Sequence, residues 1–329
     1  MKKALVIGIN DYPNSPLDGC ENDALAIATL LERNGDGSPN FSVRTLSSGE
    51  GVVTSERMID EITELFRGDA ETAVLYFAGH GLINAETNSG YIVSQDGKRG
   101  SWGVALSEVL TLANTAYPRI SASVIILDSC HSGYAGEVAG LPAGQASVIG
   151  NGVTILTASH REGVAADGAE HGLFTAILLD GLSGGASDIR GNVTPAALYS
   201  HVDQTLGPWE QRPIYKANVQ TFITLRQVTP KVAPEILRRL PEYFPNSAYV
   251  FPLDPSYEPD RENIPEALRP AEVNDAHTRV FKELQQCNRV GLVVPVDADH
   301  MYYAAIQSTG CRLTALGAHY RNLATLGRI

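Results

Sequence analysis

Four short apolar runs limit what this chain can fold into: "KALVIGI" (3–9), "TAVLYFA" (72–78), "SVIILDS" (123–129) and "VTILTAS" (153–159). Hydrophobicity that is continuous, and not alternating, belongs to a strand covered on both faces. Between these runs lie stretches of helical period. In "ENDALAIATLLERNGDG", Ala24, Ile27, Leu30 and Leu31 recur at helical spacing, and Gly35 stands where such a helix ends. Further strands are expected at 41–47 and 220–225, and helices near 54–67, 105–115, 172–182 and 194–206. Strands alternating with helices predict a mostly parallel α/β sheet with helices on both faces, extending over residues 1–228.

The texture changes after that. Nine prolines between Pro230 and Pro270 interrupt any long periodic element, so 229–270 is expected as an extended linker or wrapping segment. In 271–329, "NDAHTRVFKELQQC" reads as a helix, "VGLVVPV" as a strand, and "DHMYYAAIQ" and "TALGAHYRNLATLG" as two more helices. This predicts a small C-terminal α/β module. Its end, "CRLTALGAHYRNLATLGRI", has the look of a winged helix, but its charge gives nucleic-acid binding little support. Residues 230–329 carry 11 Lys/Arg against 12 Asp/Glu, whereas 1–229 carry 14 against 25. The acidic first part disfavours nucleic acid and favours cationic partners.

"MKKALVIGIND" is too short and too soon polar for an export signal, and no run approaches the roughly 18 apolar residues of a membrane span. A cytoplasmic protein with no membrane partner is expected. Its four cysteines, Cys20, Cys130, Cys287 and Cys311, show no CxxC and no zinc-ligand spacing. Free thiols are the expectation, with Cys287 and Cys311 as small buried hydrophobes.

Reactive groups of an open parallel sheet gather at the carboxyl ends of its strands. One apolar run ends in Gly79-His80-Gly81 and another in Cys130-His131-Ser132-Gly133. If those strands are neighbours, His80 and Cys130 come within reach. An imidazole beside a thiol favours the thiolate and returns the proton to a leaving amine. The amides of Gly81 and Cys130 can serve the oxyanion that develops. His131, adjacent to Cys130 in the chain, should point elsewhere. The chain has neither a GxGxxG nor a Walker loop, which counts against nucleotide binding.

The pair "YFAGHG" and "DSCHSG", 50 residues apart, resembles the caspase–metacaspase superfamily of cysteine peptidases, in particular its prokaryotic, orthocaspase-type branch. "LVIGINDY", "LDGCENDA", "TASHREGVAADGAEHGLFTAILLDGL" and "QRP" add to the likeness, which spans about residues 1–228. The resemblance implies a caspase-like fold and a cysteine endopeptidase with His80 as general base and acid and Cys130 as nucleophile. It implies a P1 pocket lined by Cys20, Asp23 and Asp128, in which two carboxylates would select Arg over Lys and repel Asp. A serine often found two residues before the histidine is Ala78 here. Read without the family, Asp128 is a strand-end turn acid and Asp23 a helix N-cap.

The resemblance also raises calcium, held in many metacaspases by aspartates beyond the histidine strand. Here "YIVSQDGKRGSWG" offers Asp96 alone, so neither calcium nor another cofactor is expected. The loop 137–152 lacks Lys and Arg, which leaves Lys98, Arg99, Arg161 and Arg190 as places for self-processing, if any is needed. Protein or peptide substrates are implied as partners, in a regulated bacterial defence or cell-death response, with the C-terminal module as a regulatory binding surface. The competing expectation is a peptidase-like scaffold with little turnover.

Overall fold

A computed structural model of the chain describes every residue except 85, 87–88, 130–148, 159–169, 209–211 and 271–273. The chain forms two compact units, Met1–Thr229 and Pro230–Ile329.

In the first unit the described elements run β1 (Lys2–Gly8), α1 (Cys20–Glu32), β2 (Phe41–Ser47), α2 (Ser55–Leu65), β3 (Ala70–Ala78), β4 (Gly81–Asn84), β5 (Ser89–Lys98), β6 (Ser101–Ala105), α3 (Leu106–Ala116), β7 (Ile120–Asp128), β8 (Val153–Thr157), α4 (Leu173–Asp180), β9 (Asn192–Val193), α5 (Pro195–Leu206), β10 (Ile214–Asn218) and β11 (Arg226–Gln227). The four apolar runs are the four inner strands of a six-stranded sheet ordered β10-β8-β7-β3-β1-β2. All neighbours pair in parallel except β10, which runs antiparallel to β8 along one edge.

Successive side chains of a strand point to opposite faces, so each run supplies two cores. Leu5, Ile7, Leu75, Phe77, Ile125 and Leu127 face Met58 and Ile62 of α2 and Val109 and Leu110 of α3. Val6, Val74, Tyr76, Val124 and Ile126 face Ile27 and Leu31 of α1, Phe174 and Leu178 of α4, and Leu198 and Val202 of α5. The result is the mostly parallel α/β sheet, with helices on both faces, that the apolar runs predict.

Two local expectations change. The last strand of the six-stranded sheet is β10 at 214–218, not 220–225. In 220–225 Ile223 and Leu225 are buried in a strand-like alternation, but the stretch joins no strand of the six-stranded sheet, and the Leu225 amide donates to the Val193 carbonyl of β9 (2.8 Å). Instead Lys2 Nζ donates to the Thr224 carbonyl (2.8 Å) and Asn40 Nδ2 to that of Leu225 (2.8 Å). The stretch around Asp96 forms an antiparallel sheet of order β4-β5-β6 that sequence periodicity did not reveal. Asp96 itself accepts the Ser55 amide (2.9 Å) at the start of α2 and the Ser94 hydroxyl (2.6 Å).

The second unit contains α6 (Pro234–Tyr243), β12 (Val250–Pro252), α7 (Asp275–Arg289), β13 (Val293–Val296), α8 (Met301–Ile306), β14 (Gly310–Leu313) and α9 (Ala315–Thr325). The three strands form an antiparallel sheet of order β12-β14-β13. Residues 229–270, expected as a linker or wrapping segment, therefore carry a helix and an edge strand of this unit. Pro234 is tolerated because it occupies the first turn of α6, where its missing amide proton has no helical partner. Buried Glu283 of α7 accepts Arg239 Nε (2.9 Å) and the Tyr243 hydroxyl (2.5 Å), pinning α6 to α7.

Gly8, last residue of β1, decides how closely α1 can start. A Cβ at this position would lie 2.4 Å from the Cys20 carbonyl oxygen and 2.7 Å from Ala24 Cβ. Gly8→Ala should therefore push α1 off the sheet and cost about 1–3 kcal/mol, the usual range for overpacking, read as a lower urea midpoint at unchanged m-value.

Candidate active site

The site lies on the carboxyl edge of the sheet. β3 and β7 are neighbours in register Ala78↔Asp128, and the tie continues one residue further, where the Gly79 amide donates to the Asp128 carbonyl (3.3 Å). The chain segments carrying His80 and leading to Cys130 thus leave the sheet side by side. Cys130 itself, with His131, lies outside the described residues.

His80 is held from two directions. Its imidazole Nε2 lies 2.7 Å from the Ser15 carbonyl oxygen in the loop after β1. A carbonyl only accepts, so Nε2 carries the hydrogen and the lone pair of the neutral ring is on Nδ1. Its amide donates to the Tyr12 hydroxyl (3.0 Å), and its carbonyl accepts the Val93 amide (2.9 Å) at the start of the β4–β5 ladder. Antiparallel pairs alternate between bonded and non-bonded. Because His80 and Val93 form the bonded kind, the next pair, Gly81↔Ile92, is of the other kind, and the Gly81 amide points away from β5.

Beside this lies an acidic cluster. Cys20 and Asp23 belong to the first turns of α1, and Asp128 ends β7. Both acids are engaged by the start of α4. Asp23 is buried; its Oδ1 pairs with His171 Nδ1 (2.9 Å) and its Oδ2 accepts the Gly172 amide (3.4 Å). Asp128 Oδ2 accepts the Thr175 hydroxyl (2.6 Å). The Thr175 proton is committed there, so the buried Tyr76 hydroxyl donates to Thr175 Oγ1 (2.6 Å). A Cβ at Gly172 would lie 3.3 Å from Asp23 Oδ2 and 3.4 Å from Asp128 Oδ2, so the two carboxylates converge on a single glycine.

Converging acids taken out of water resist ionisation. Burial, offset in part by the Thr175 hydrogen bond and reinforced by Asp23, pushes Asp128 up to about 6. Burial also raises Asp23, against the pull of His171 and the Gly172 amide. The Cys20 thiol is pushed up to about 12 by burial and by the charges of Asp128 and Asp23, so it is a protonated wall of the cluster and no nucleophile.

The structure brings Cys20, Asp23 and Asp128 together and sets His80 and Gly81 at the end of the neighbouring strand. Asp23 is not the N-cap of α1, a position held by Gly19; its side chain instead accepts the amide that opens α4. Ala78 is buried in the helix-covered core, with no polar group to offer. His171, Thr175, Tyr76, Tyr12 and Ser15 were not singled out by sequence reasoning. The signals were in the quoted stretches "EHGLFT" and "LVIGINDY", where a glycine before an apolar run marks the opening of α4. Among the described residues, no group of three or more His, Cys, Asp or Glu side chains is arranged to hold a metal ion. No described helix is long and apolar enough to cross a membrane.

A family model described as "Caspase domain" matches residues 1–226. No curated protein matches the chain. Among solved structures, a protein from Geobacter sulfurreducens is 18% identical, the match covering 70% of this chain and 97% of that one at a TM-score of 0.48. Caspase-1 from Spodoptera frugiperda is 11% identical, the match covering 69% and 90% at a TM-score of 0.48.

With its thiol held in the protonated form, Cys20 should stay unmodified by iodoacetamide at mildly alkaline pH while a free cysteine in an unstructured peptide is fully alkylated. Peptide mapping by mass spectrometry reads this directly. Rapid labelling of Cys20 would contradict the burial and charge that surround it.

Proposed function

The chain belongs to the caspase family, and from that premise we propose that it is a cysteine endopeptidase cutting after basic residues, arginine in preference to lysine. The observation that carries the specificity is the convergence of Asp23 and Asp128 on Gly172, beside the strand end that leads to Cys130. A guanidinium presents planar N–H donors that two carboxylates can share, while an ammonium is a compact point charge with a stronger hold on water. An acidic P1 side chain would meet like charge.

The chemistry assigned to the dyad follows from the tautomer of His80. With Nε2–H committed to Ser15, Nδ1 takes the proton of the Cys130 thiol, and the thiolate attacks the scissile carbonyl. The carbonyl oxygen becomes an oxyanion facing the amides of Gly81 and Cys130. As the intermediate collapses, the C–N bond breaks and His80 returns its proton to the leaving amine. Water, deprotonated by His80, then cleaves the thioester and restores the thiol. No step needs a metal. Asp96, the acid nearest in sequence to a calcium motif, spends a carboxylate oxygen on the start of α2. The family setting extends the proposal to a regulated defence or cell-death response, with residues 230–329 as a regulatory unit.

Matched fluorogenic peptides ending in Arg, Lys, Asp and Gln test the reading, with wild-type protein and Cys130→Ala, in chelator and then in calcium. Arg should be cleaved fastest, Lys more slowly and Asp not at all. Cys130→Ala should abolish turnover, and calcium should leave it unchanged. Absence of turnover with every peptide would instead support a scaffold.

The selectivity should also titrate. Asp128 loses its charge as pH falls through about 6, so the attraction for a cationic P1 is present above that pH and lost below it. The ratio of Arg to Gln cleavage should drop about tenfold for each further pH unit. Asp128→Asn should reduce that ratio about ten- to a hundredfold and remove the part of its pH dependence centred near 6, since the cation is then left with Asp23 alone.

A further inference from the structure

The ladder between β4 and β5 opens with an irregularity at His80. A bonded antiparallel pair exchanges two backbone hydrogen bonds. His80 and Val93 make only one of them, from the Val93 amide to the His80 carbonyl. The place of the other is taken by the Tyr12 hydroxyl, which accepts the His80 amide (3.0 Å) and donates to the Val93 carbonyl (3.0 Å).

We infer that Tyr12 is a positioning residue for the general base, its hydroxyl acting as a spliced rung that sets how His80 leaves β3. Several features of the molecule fit no simpler role. The Tyr12 ring is buried and lies against the His80 imidazole, with ring centroids 4.5 Å apart and planes 57° apart. Hydroxyl and ring thus restrain the backbone and the side chain of one residue. Gly79 has the form this requires: a Cβ there would come 2.6 Å from Tyr12 Oη and 2.8 Å from Phe77 Cζ. Gly79 is therefore small because the hydroxyl passes over it.

The loop that delivers Tyr12 is itself fixed. The Tyr12 and Leu17 amides both donate to the Asn10 carbonyl (2.9 Å each), the Asn10 amide donates to Ser48 Oγ (2.9 Å), and Gln95 Nε2 donates to the Asp11 carbonyl (2.9 Å). The same loop supplies the Ser15 carbonyl that orients Nε2. One tight loop after β1 thus holds the histidine at its amide, its ring face and its distal nitrogen. A hydroxyl rung is longer than a direct amide-to-carbonyl bond, so it opens the ladder at His80 while leaving the Gly81 pair regular.

This inference rests on the dyad reading above, and the test separates the two. Tyr12→Phe keeps the ring and removes the rung. In the full chain, kcat for the Arg-ended peptide should fall about ten- to a hundredfold, the loss typical of a small misplacement of a reacting group, while KM stays within about a factor of two. Alkylation of Cys130 by iodoacetamide against pH, followed on its own peptide by mass spectrometry, needs no peptide cleavage. Its half-point should move up by about one pH unit, towards that of a free thiol, because a misaligned imidazole no longer favours the thiolate.

His80→Ala sets the scale. If it leaves the alkylation profile of the wild type unchanged, the dyad reading fails and the role of Tyr12 falls with it. If His80→Ala shifts the profile and a folded Tyr12→Phe does not, with kcat also unchanged, the dyad stands and Tyr12 is an ordinary core tyrosine. Should Tyr12→Phe not fold, amide hydrogen exchange of His80 in the wild-type chain decides. Strong protection fits the rung, and exchange at the rate of an open chain overturns it.

Discussion

Strands β3 and β7 pair in parallel from Ala70–Ile120 to Ala78–Asp128, and one further hydrogen bond joins Gly79 to Asp128 beyond the last pair. Parallel strands need a crossover between them, and here it holds the β4–β6 sheet and α3. That long return lets two distant sequence stretches emerge at one edge with a common direction. The acids use the same edge. Asp128 is the last residue of β7 and Asp23 sits where α1 begins its return from β1. Everything the site contains among the described residues depends on strand ends brought level by that register.

The start of α4 completes the arrangement by an economy of contacts. Gly172 brings a backbone amide to Asp23, Thr175 a hydroxyl to Asp128, and His171 a ring nitrogen to Asp23. Three contacts to the two acids are thus delivered by one short helix opening. A helix N-terminus carries partial positive charge, which favours carboxylates beside it. It does not cancel the cost of burying two of them, and Asp128 still titrates at about 6. On the proposed reading, the same acids that would select a cation are held back in their ionisation by burial, which would make the selection sensitive to pH.

Much of this was legible in the residues. Continuous apolar runs gave away the inner strands, and glycine on both sides of His80 marked a strand end with room above it. Asp23 and Asp128 came from the family likeness, since an acid at a turn or near a helix start has ordinary explanations. Thr175, Tyr76 and His171 were not legible because their partners lie 47 to 148 residues away along the chain. Only the packing of α4 reveals which side of the helix meets the acids. The 220–225 stretch misled for a related reason. Ile223 and Leu225 alternate as a strand would, yet the carbonyls of Thr224 and Leu225 are met by the side chains of Lys2 and Asn40. In the second unit, β12 escaped notice because its edge position lets it carry Pro252, a residue that argues against a central strand.

The pairing of β12 with β14 has a consequence for the order in which the molecule comes into being. The six-stranded sheet of the first unit lays down its last strand at Asn218, and that strand pairs with β8, already made. The middle strand of the second unit is Gly310–Leu313, and both of its neighbours must wait for it. During synthesis, domains fold as units as they emerge. The six-stranded sheet can therefore close while the second unit is still three separate pieces of chain, and whatever the second unit contributes arrives after the carboxyl edge of that sheet has formed.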